Sequence, residues 1–196
     1  MEANKFELNR QIFHVVLGIA TVVLLKLGLI GKEAFLFLII AGLILSCLSR
    51  TIKIPIIHGL LERFERKEDF RRFPGKGIIF YFIGTYIVLL LFPKEIAMAS
   101  IMVLAFGDSA SHLYGLHFGK IKHSFFKTKF IEGTIAGFIF GFIGALVFLP
   151  WHEAFFASFA AMTFEAVEIK IGAQQVDDNL IVPLVAGAAV WLARLV

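Results

Sequence analysis

The sequence predicts an all-α, polytopic integral membrane protein with about seven transmembrane helices. Apolar runs of about 17 to 20 residues recur along the chain, the length at which a helix crosses a ~30 Å hydrocarbon layer. Hydrophobic residues make up 59% of the chain and charged residues 17%, with 23 phenylalanines in 196 residues, more apolar surface than a soluble domain of this size has use for. The basic residues also alternate in density from one inter-span segment to the next. Helix is the expected state because backbone polar groups in lipid must be satisfied within each segment.

The expected spans are 11–30, 33–49, 77–92, 96–114, 133–150, 152–171 and 180–196, forming one domain over 1–196. Polar residues 1–10 lead into a first span long enough to be retained, with no small-residue cleavage site after it. The second span holds Cys47, the single cysteine, so one chain can build neither a disulfide nor a thiolate metal site. A basic loop over about 50–76 follows. Within it, Leu60 to Arg66 carries apolar residues at three- and four-residue spacing, the pattern of a short amphipathic helix on the membrane surface. Pro74-Gly75-Lys76-Gly77 then breaks the chain before span three.

Span four is uncharged from Ile96 to Phe106 and then meets Asp108. A carboxylate costs roughly 2.5–3.5 kcal/mol at the centre of a membrane helix and less near the interface, so its presence marks a functional or pairing role. Ser111 and His112 follow three and four residues later, on the same helix face. A candidate active-site loop over about 115–132 contains Gly115, Gly119 and Lys120. Span five opens with Glu132 and Gly133 and continues with Gly137 and Gly141, a smooth face for a neighbouring helix. Gly133, at the helix mouth, leaves room for a ligand. Glu165 and Glu168 share a face of span six, suited to a second metal or to pairing with Arg10. Asp177, Asp178 and Asn179 introduce span seven.

Fifteen of the 19 basic residues fall on one side of this arrangement and four on the other, which by the positive-inside rule puts the N terminus in the cytoplasm and the C terminus outside. The net charge of +4 is thus a matter of membrane orientation, with no nucleic-acid partner. Asp108, Glu132, Glu165, Glu168, Asp177 and Asp178 all lie at or near cytoplasmic ends. Carboxylates gathered with lysines at one membrane face suit a metal-triphosphate site; ordinary charge pairing at helix ends is the alternative.

Three motifs occur in order: Gly107-Asp108-Ser109-Ala110-Ser111 with Gly115-x-x-Phe118-Gly119-Lys120, then Lys129-x-x-Glu132-Gly133-Thr134, then Asp177-Asp178-Asn179-Leu180 through Pro183. With Glu7-x-x-Arg10-x-x-x-His14 before them, they cover most of the chain. The set resembles the CTP-dependent lipid kinases, namely dolichol or polyprenol kinase, phytol kinase and the CTP-dependent diacylglycerol kinase, and is similar to the phosphatidate cytidylyltransferases. The resemblance implies a membrane enzyme with its active site on the cytoplasmic face, CTP as phosphoryl donor, Mg²⁺ as cofactor and a lipid alcohol as acceptor. The chain departs from the family pattern at two places, with Leu116 where a basic residue is common and Phe130 where a hydroxyl is.

Beside that resemblance, Asp108 and Asp178 are the expected metal ligands, since Mg²⁺ takes one or two carboxylates together with phosphate oxygens and water. Lys120 and Lys129 would neutralise phosphates, while Gly107, Gly115, Gly119 and Gly133 permit close backbone approach. Ser111 and Asn179 complete the nucleotide set. Asp177 and Glu132 are the first candidates for the base that takes the acceptor proton, ahead of His14 and His112. The glycine-rich run ending at Lys120 is one residue short of a P-loop and lacks its hydroxyl. The rival readings are a cytidylyltransferase, which attacks the α-phosphate, and a transporter, which would place its carboxylates near the midplane. A membrane scaffold would not need a one-sided acidic set. The acceptor alcohol, and whether two copies pair as a homodimer, stay open.

Overall fold

The computed structural model describes residues 2–51, 55–65, 67–123, 129–167, 170–171 and 174–195. Among the described residues, seven helical rods overlap the seven expected segments: α1 (Glu2–Lys26), α2 (Lys32–Ser49), α5 (Lys76–Leu91), a rod running from Lys94 to Phe118, α8 (Ile131–Ala145), α9 (Trp151–Ala166) and α10 (Asp178–Ala193). Two short helices, α3 (Pro55–Phe64) and α4 (Lys67–Arg72), fill the basic loop, and α3 is strongly amphipathic. Three stretches are long and apolar enough to cross a membrane: Asn4–Lys26, Lys32–Ser49 and Lys94–Phe118. Helices α5, α8 and α10 are apolar but shorter.

Two boundaries correct the expectation. The sixth span was expected to reach 171, yet α9 ends at Ala166. Lys170–Ile171 (β1) then pairs antiparallel with Gln174–Gln175 (β2). The segment from Val167 to Ile171 alternates apolar and charged residues, with β-branched side chains at the apolar positions, a period-two pattern that favours extended backbone over helix. Among the described residues the fold is therefore helical, with the β1–β2 pair and an antiparallel bridge between Lys122 and Phe130. At the other end, the polar residues from Glu2 onward are already helical and extend α1 by more than two turns.

The Lys94–Phe118 rod is the centre of the bundle. Its most apolar window is 72% buried, against 28% and 11% for α1 and α2, which lie at the periphery. The rod consists of α6 (Lys94–Met102), a π-helical segment (Val103–Asp108) and α7 (Ser109–Phe118). From Ile96 to Ala105 every residue is buried, as expected of a helix that is apolar on all faces. The one hydroxyl in α6 is satisfied internally, Ser100 Oγ donating to the Ile96 carbonyl at 2.8 Å.

Small residues bring the neighbours close. A Cβ on Gly137 of α8 would lie 2.8 Å from the Gly107 carbonyl and 2.9 Å from Ser111 Cβ, and one on Gly141 would lie 3.5 Å from Gly107 Cα. Helix α9 buries Ala154, Ala157, Ser158, Ala161, Met162 and Glu165 on one face, while α10 buries Val182, Ala186 and Val190. This spacing is that of an inward stripe. Away from the acidic residues, Arg194 clasps Glu153 with two hydrogen bonds of 2.9 and 2.8 Å, tying the end of α10 to the start of α9.

The start of α10 has its own anchor. Pro183 has no N–H to donate to the Asn179 carbonyl one turn earlier, and α5 packs against that carbonyl through Gly84, where a Cβ would lie 2.3 Å from the oxygen. Gly84→Ala must therefore push α5 and α10 apart along their backbones. Overpacking of this kind costs roughly 1–3 kcal/mol, and a lower melting temperature in detergent is expected. Gly59→Ala, where a Cβ would meet nothing within 4 Å, serves as the control. Equal melting temperatures for the two variants would contradict this packing.

Candidate active site

Three helices deliver one carboxylate each to a common point. Asp108 ends the π segment, Glu165 lies in the last turn of α9 and Asp178 opens α10; each offers an oxygen within 4.8 Å of the other two. Glu165 is almost fully buried, at 3% exposure. Among the described residues, the ammonium that meets them is Lys129, whose Nζ lies 2.5 Å from Glu165 Oε1 and 3.1 Å from Asp178 Oδ2. It also donates to the Glu165 backbone carbonyl at 2.6 Å. Lys129 thus caps the negative end of α9, and Asp178 sits at the positive end of α10. Burial by itself would lower the Lys129 pKa, but Glu165 and Asp178 outweigh it and hold the ammonium above its ordinary range. Ser111 Oγ donates to the other oxygen of Glu165 at 3.4 Å.

The remaining acidic residues have separate partners. Asp177 is the N-cap of α10, accepting from the Asn179 backbone N–H at 3.1 Å and from Asn179 Nδ2 at 2.8 Å. Such a cap satisfies otherwise orphaned N–H groups at a helix start. Lys76 Nζ lies 3.7 Å from Asp177 and 3.6 Å from Asp69. Glu132 accepts the Ile121 N–H on both oxygens at 3.1 and 3.2 Å, which fastens the loop after α7 to the mouth of α8. Lys120 is exposed on that loop and acts electrostatically on Glu132, away from the three carboxylates. Arg10 pairs with Glu7 at 2.9 Å rather than with Glu165, and His112 Nε2 stands 3.0 Å from the same Glu7 carboxylate. Glu168, also singled out in the sequence, lies outside the described residues.

The motif glycines face protein. A Cβ on Gly133 would lie 2.6 Å from the Ser111 carbonyl and 3.2 Å from Gly115 Cα; one on Gly107 would meet Met162 at 3.0 Å. At Gly119 the obstacles are the Gly115 carbonyl and the Phe130 ring, both at 2.3 Å. Phe130, a departure from the family pattern, therefore fills the space that Gly119 leaves open. The Cβ side of these residues serves close packing of α7 on α8.

Glu165 is the member of the cluster that the sequence placed only loosely, as a second-metal ligand or a partner for Arg10. The signal was present: it is the first carboxylate after the apolar stretch that begins at Ala154, and burying such a group requires a cationic partner. Hard oxygen donors on three separate elements suit a divalent cation such as Mg²⁺.

No family model matches the chain, and no solved structure matches it. It is similar to a protein of Methanocaldococcus jannaschii described as uncharacterized, 32% identical over 187 residues that cover 91% of this chain and 90% of that protein. It is similar as well to CTP-dependent diacylglycerol kinase 1 of Schizosaccharomyces pombe, 29% identical over 137 residues, 59% of each chain. The chloroplastic phytol kinase 1 of Arabidopsis thaliana is 26% identical over 214 residues, covering 95% of this chain and 66% of that kinase. The match thus spans about three fifths to two thirds of the length of these two kinases.

Removing the internal cation provides a direct test of the cluster. Lys129→Met leaves Glu165 buried without its ammonium, a change that costs roughly 3–5 kcal/mol in comparable buried pairs. A lower melting temperature is expected, with millimolar Mg²⁺ raising it by more in the variant than in the wild type. An identical response to the cation in both proteins would mean that these carboxylates do not share one.

Proposed function

Since the chain belongs to the family of CTP-dependent lipid kinases, we propose that it transfers the γ-phosphate of CTP to the hydroxyl of a membrane lipid alcohol. The observation that carries this reading is the meeting of Asp108, Glu165 and Asp178 around Lys129. The lipid alcohol is of the polyprenol, phytol-like or diacylglycerol class. The cytoplasmic placement of the N terminus and of the acidic cluster belongs to the same proposal and rests on the distribution of basic residues.

The three carboxylates would hold Mg²⁺, which supplies neutralisation of the triphosphate charge in phosphoryl transfer. Lys129 is already charged and desolvated beside them, so it meets an incoming phosphate oxygen without reorganisation, the condition under which a fixed charge is most effective. Ser111 holds one oxygen of Glu165 and leaves the other to Lys129. Asp177 orients Asn179 by two hydrogen bonds and is thereby engaged as a helix cap. Glu132 orders the loop that carries Lys120. These two residues therefore act in this reading by positioning.

Incubating purified protein with Mg²⁺ and CTP labelled either at the γ-phosphate or in the base, together with a panel of lipid alcohols and phosphatidate, tests the reaction class. Label from the γ-phosphate alone should appear in the lipid. Transfer of the base label would instead establish a cytidylyltransferase.

Asp108→Asn, Glu165→Gln and Asp178→Asn should each lower turnover by about 10²-fold or more, and any two together should lose little beyond the first, because members of one catalytic unit are not additive. Helical content measured on the same samples separates this loss from unfolding. Full activity in a folded Glu165→Gln protein would confine the site to the other two carboxylates.

A further inference from the structure

A cavity of about 310 Å³ lies between α1, α3 and the start of α5. Its walls are mainly apolar, with Phe13 and Leu17 from α1 and Leu61 and Phe64 from α3. Phe13 and Phe64 stack at 4.8 Å between centroids, closing one side. Helix α3 is held over it by Glu65, whose Oε2 accepts the Gly75 N–H at 2.9 Å at the left-handed residue that starts α5. Burial pushes the Glu65 carboxyl up, against the hydrogen bonds from Gly75 and Lys76.

Two polar atoms in the lining are buried and have no partner among the described residues: His14 Nε2 and Asn179 Oδ1. Buried polar atoms almost always have a partner, and each exception calls for an explanation. His14 is half-buried, with its Nε2 atom shielded from solvent and its ring edge-on to Tyr81 at 5.7 Å between centroids. Asn179 cannot turn its oxygen elsewhere, because its Nδ2 is committed to Asp177. Both atoms accept hydrogen bonds when His14 carries its proton on Nδ1, so the cavity is built for a molecule that is largely apolar and brings a donor. Asn179 follows Asp178 in the chain, and Asp108, Arg10 and Asp177 all act electrostatically on the His14 ring. The cavity therefore adjoins the three-carboxylate cluster.

We propose that this cavity receives the hydroxyl-bearing end of the lipid alcohol and that His14 Nε2 takes the hydroxyl proton. The inference rests on the kinase reading above and supplies its acceptor subsite. In the step, the O–H bond breaks and its proton passes to His14. The freed oxygen pair forms the new bond to the γ-phosphorus. The bond from that phosphorus to the bridging oxygen breaks, and the nucleoside diphosphate leaves with that electron pair. An amphipathic helix lying at the membrane surface explains how an apolar acceptor reaches the cavity from the bilayer, beneath α3. It also accounts for the phenylalanines in the walls, where Arg10, Glu65 and Asp69 are the charged residues among the lining.

The test uses phytol and dioctanoylglycerol in mixed micelles, with nucleotide affinity measured separately by equilibrium binding of CTP. Gly77 lines the cavity, and a Cβ there would meet nothing within 4 Å, so Gly77→Trp fills the space without displacing backbone. It should raise the acceptor KM by roughly tenfold or more, while CTP affinity stays within about twofold. Gly77→Leu carries the same expectation if the tryptophan is not tolerated. His14→Gln, which keeps a hydrogen-bonding side chain but cannot take the proton, should lower kcat by about 10²-fold or more, with both affinities nearly unchanged.

Weaker CTP binding with an unchanged acceptor KM would assign the cavity to the nucleotide base and overturn the proposal, as would normal kcat in folded His14→Gln protein. A diazirine derivative of phytol, photolysed without nucleotide, reads the cavity independently of activity. It should label Phe13, Leu61 or Phe64 in the wild type and not in Gly77→Trp. Labelling confined to other surfaces would overturn the cavity assignment, whereas cavity labelling with no phosphorylated alcohol would overturn the kinase reading alone.

Discussion

Three carboxylates from different helices, one of them almost fully buried, cannot share one point without a cation, and Lys129 supplies one. Two unit charges at the separation seen here repel by roughly 3–4 kcal/mol at an effective dielectric of about 20, and Glu165 in addition has left water almost entirely. The ammonium offsets both. Because Lys129 also bonds the Glu165 carbonyl in the last turn of α9 and faces the opening turn of α10, its charge answers two helix dipoles together with the side chains. The ends of α9 and α10, the π segment and the loop before α8 are thereby held by one group. The Arg194–Glu153 clasp fixes the opposite ends of α9 and α10, so this pair is pinned at both extremities.

The rods were legible because the signals for membrane helices are long and redundant: length, absence of charge, and basic residues between spans. Their ends were less so. The chain from Val167 to Ile171 is as apolar on average as the helix before it, and only its period-two alternation separates it. Asp108 and Asp178 were recognisable as a pair because each interrupts or borders an apolar run. Glu165 was visible as a charge at a helix end but not as their neighbour, since sequence alone does not say which face of α9 looks towards the π segment. That orientation comes from packing: Met162, one turn earlier, seats against Gly107 and Gly137, and the turn that follows carries Glu165 inwards.

Asp177 and Asp178 show the same limit at adjacent positions. One residue of separation at the start of a helix sends the first carboxylate to the backbone as a cap and the second to Lys129. No reading of composition distinguishes them, because helix geometry makes the assignment. Phe130 is a third case. As a departure from a family pattern it read as a missing hydroxyl, whereas its ring lies against Gly119. A bulky residue and a missing side chain are therefore two halves of one fit.

The π segment in the central rod sets the two halves of that rod to different phases. Each i→i+5 bond takes up one more residue than an α-helical turn, so the faces of α6 do not continue into α7. Upstream, Ile96 to Met102 is buried on every side. Downstream, Ser109, Ser111 and Gly115 turn inwards while Tyr114, Leu116 and Phe118 turn out. The change between these regimes lies at Gly107 and Asp108, where α8 packs through Gly137 and Gly141. The inner half of the rod is accordingly free to conserve volume, and the outer half to conserve direction, so that the same helix answers to two separate sets of neighbours.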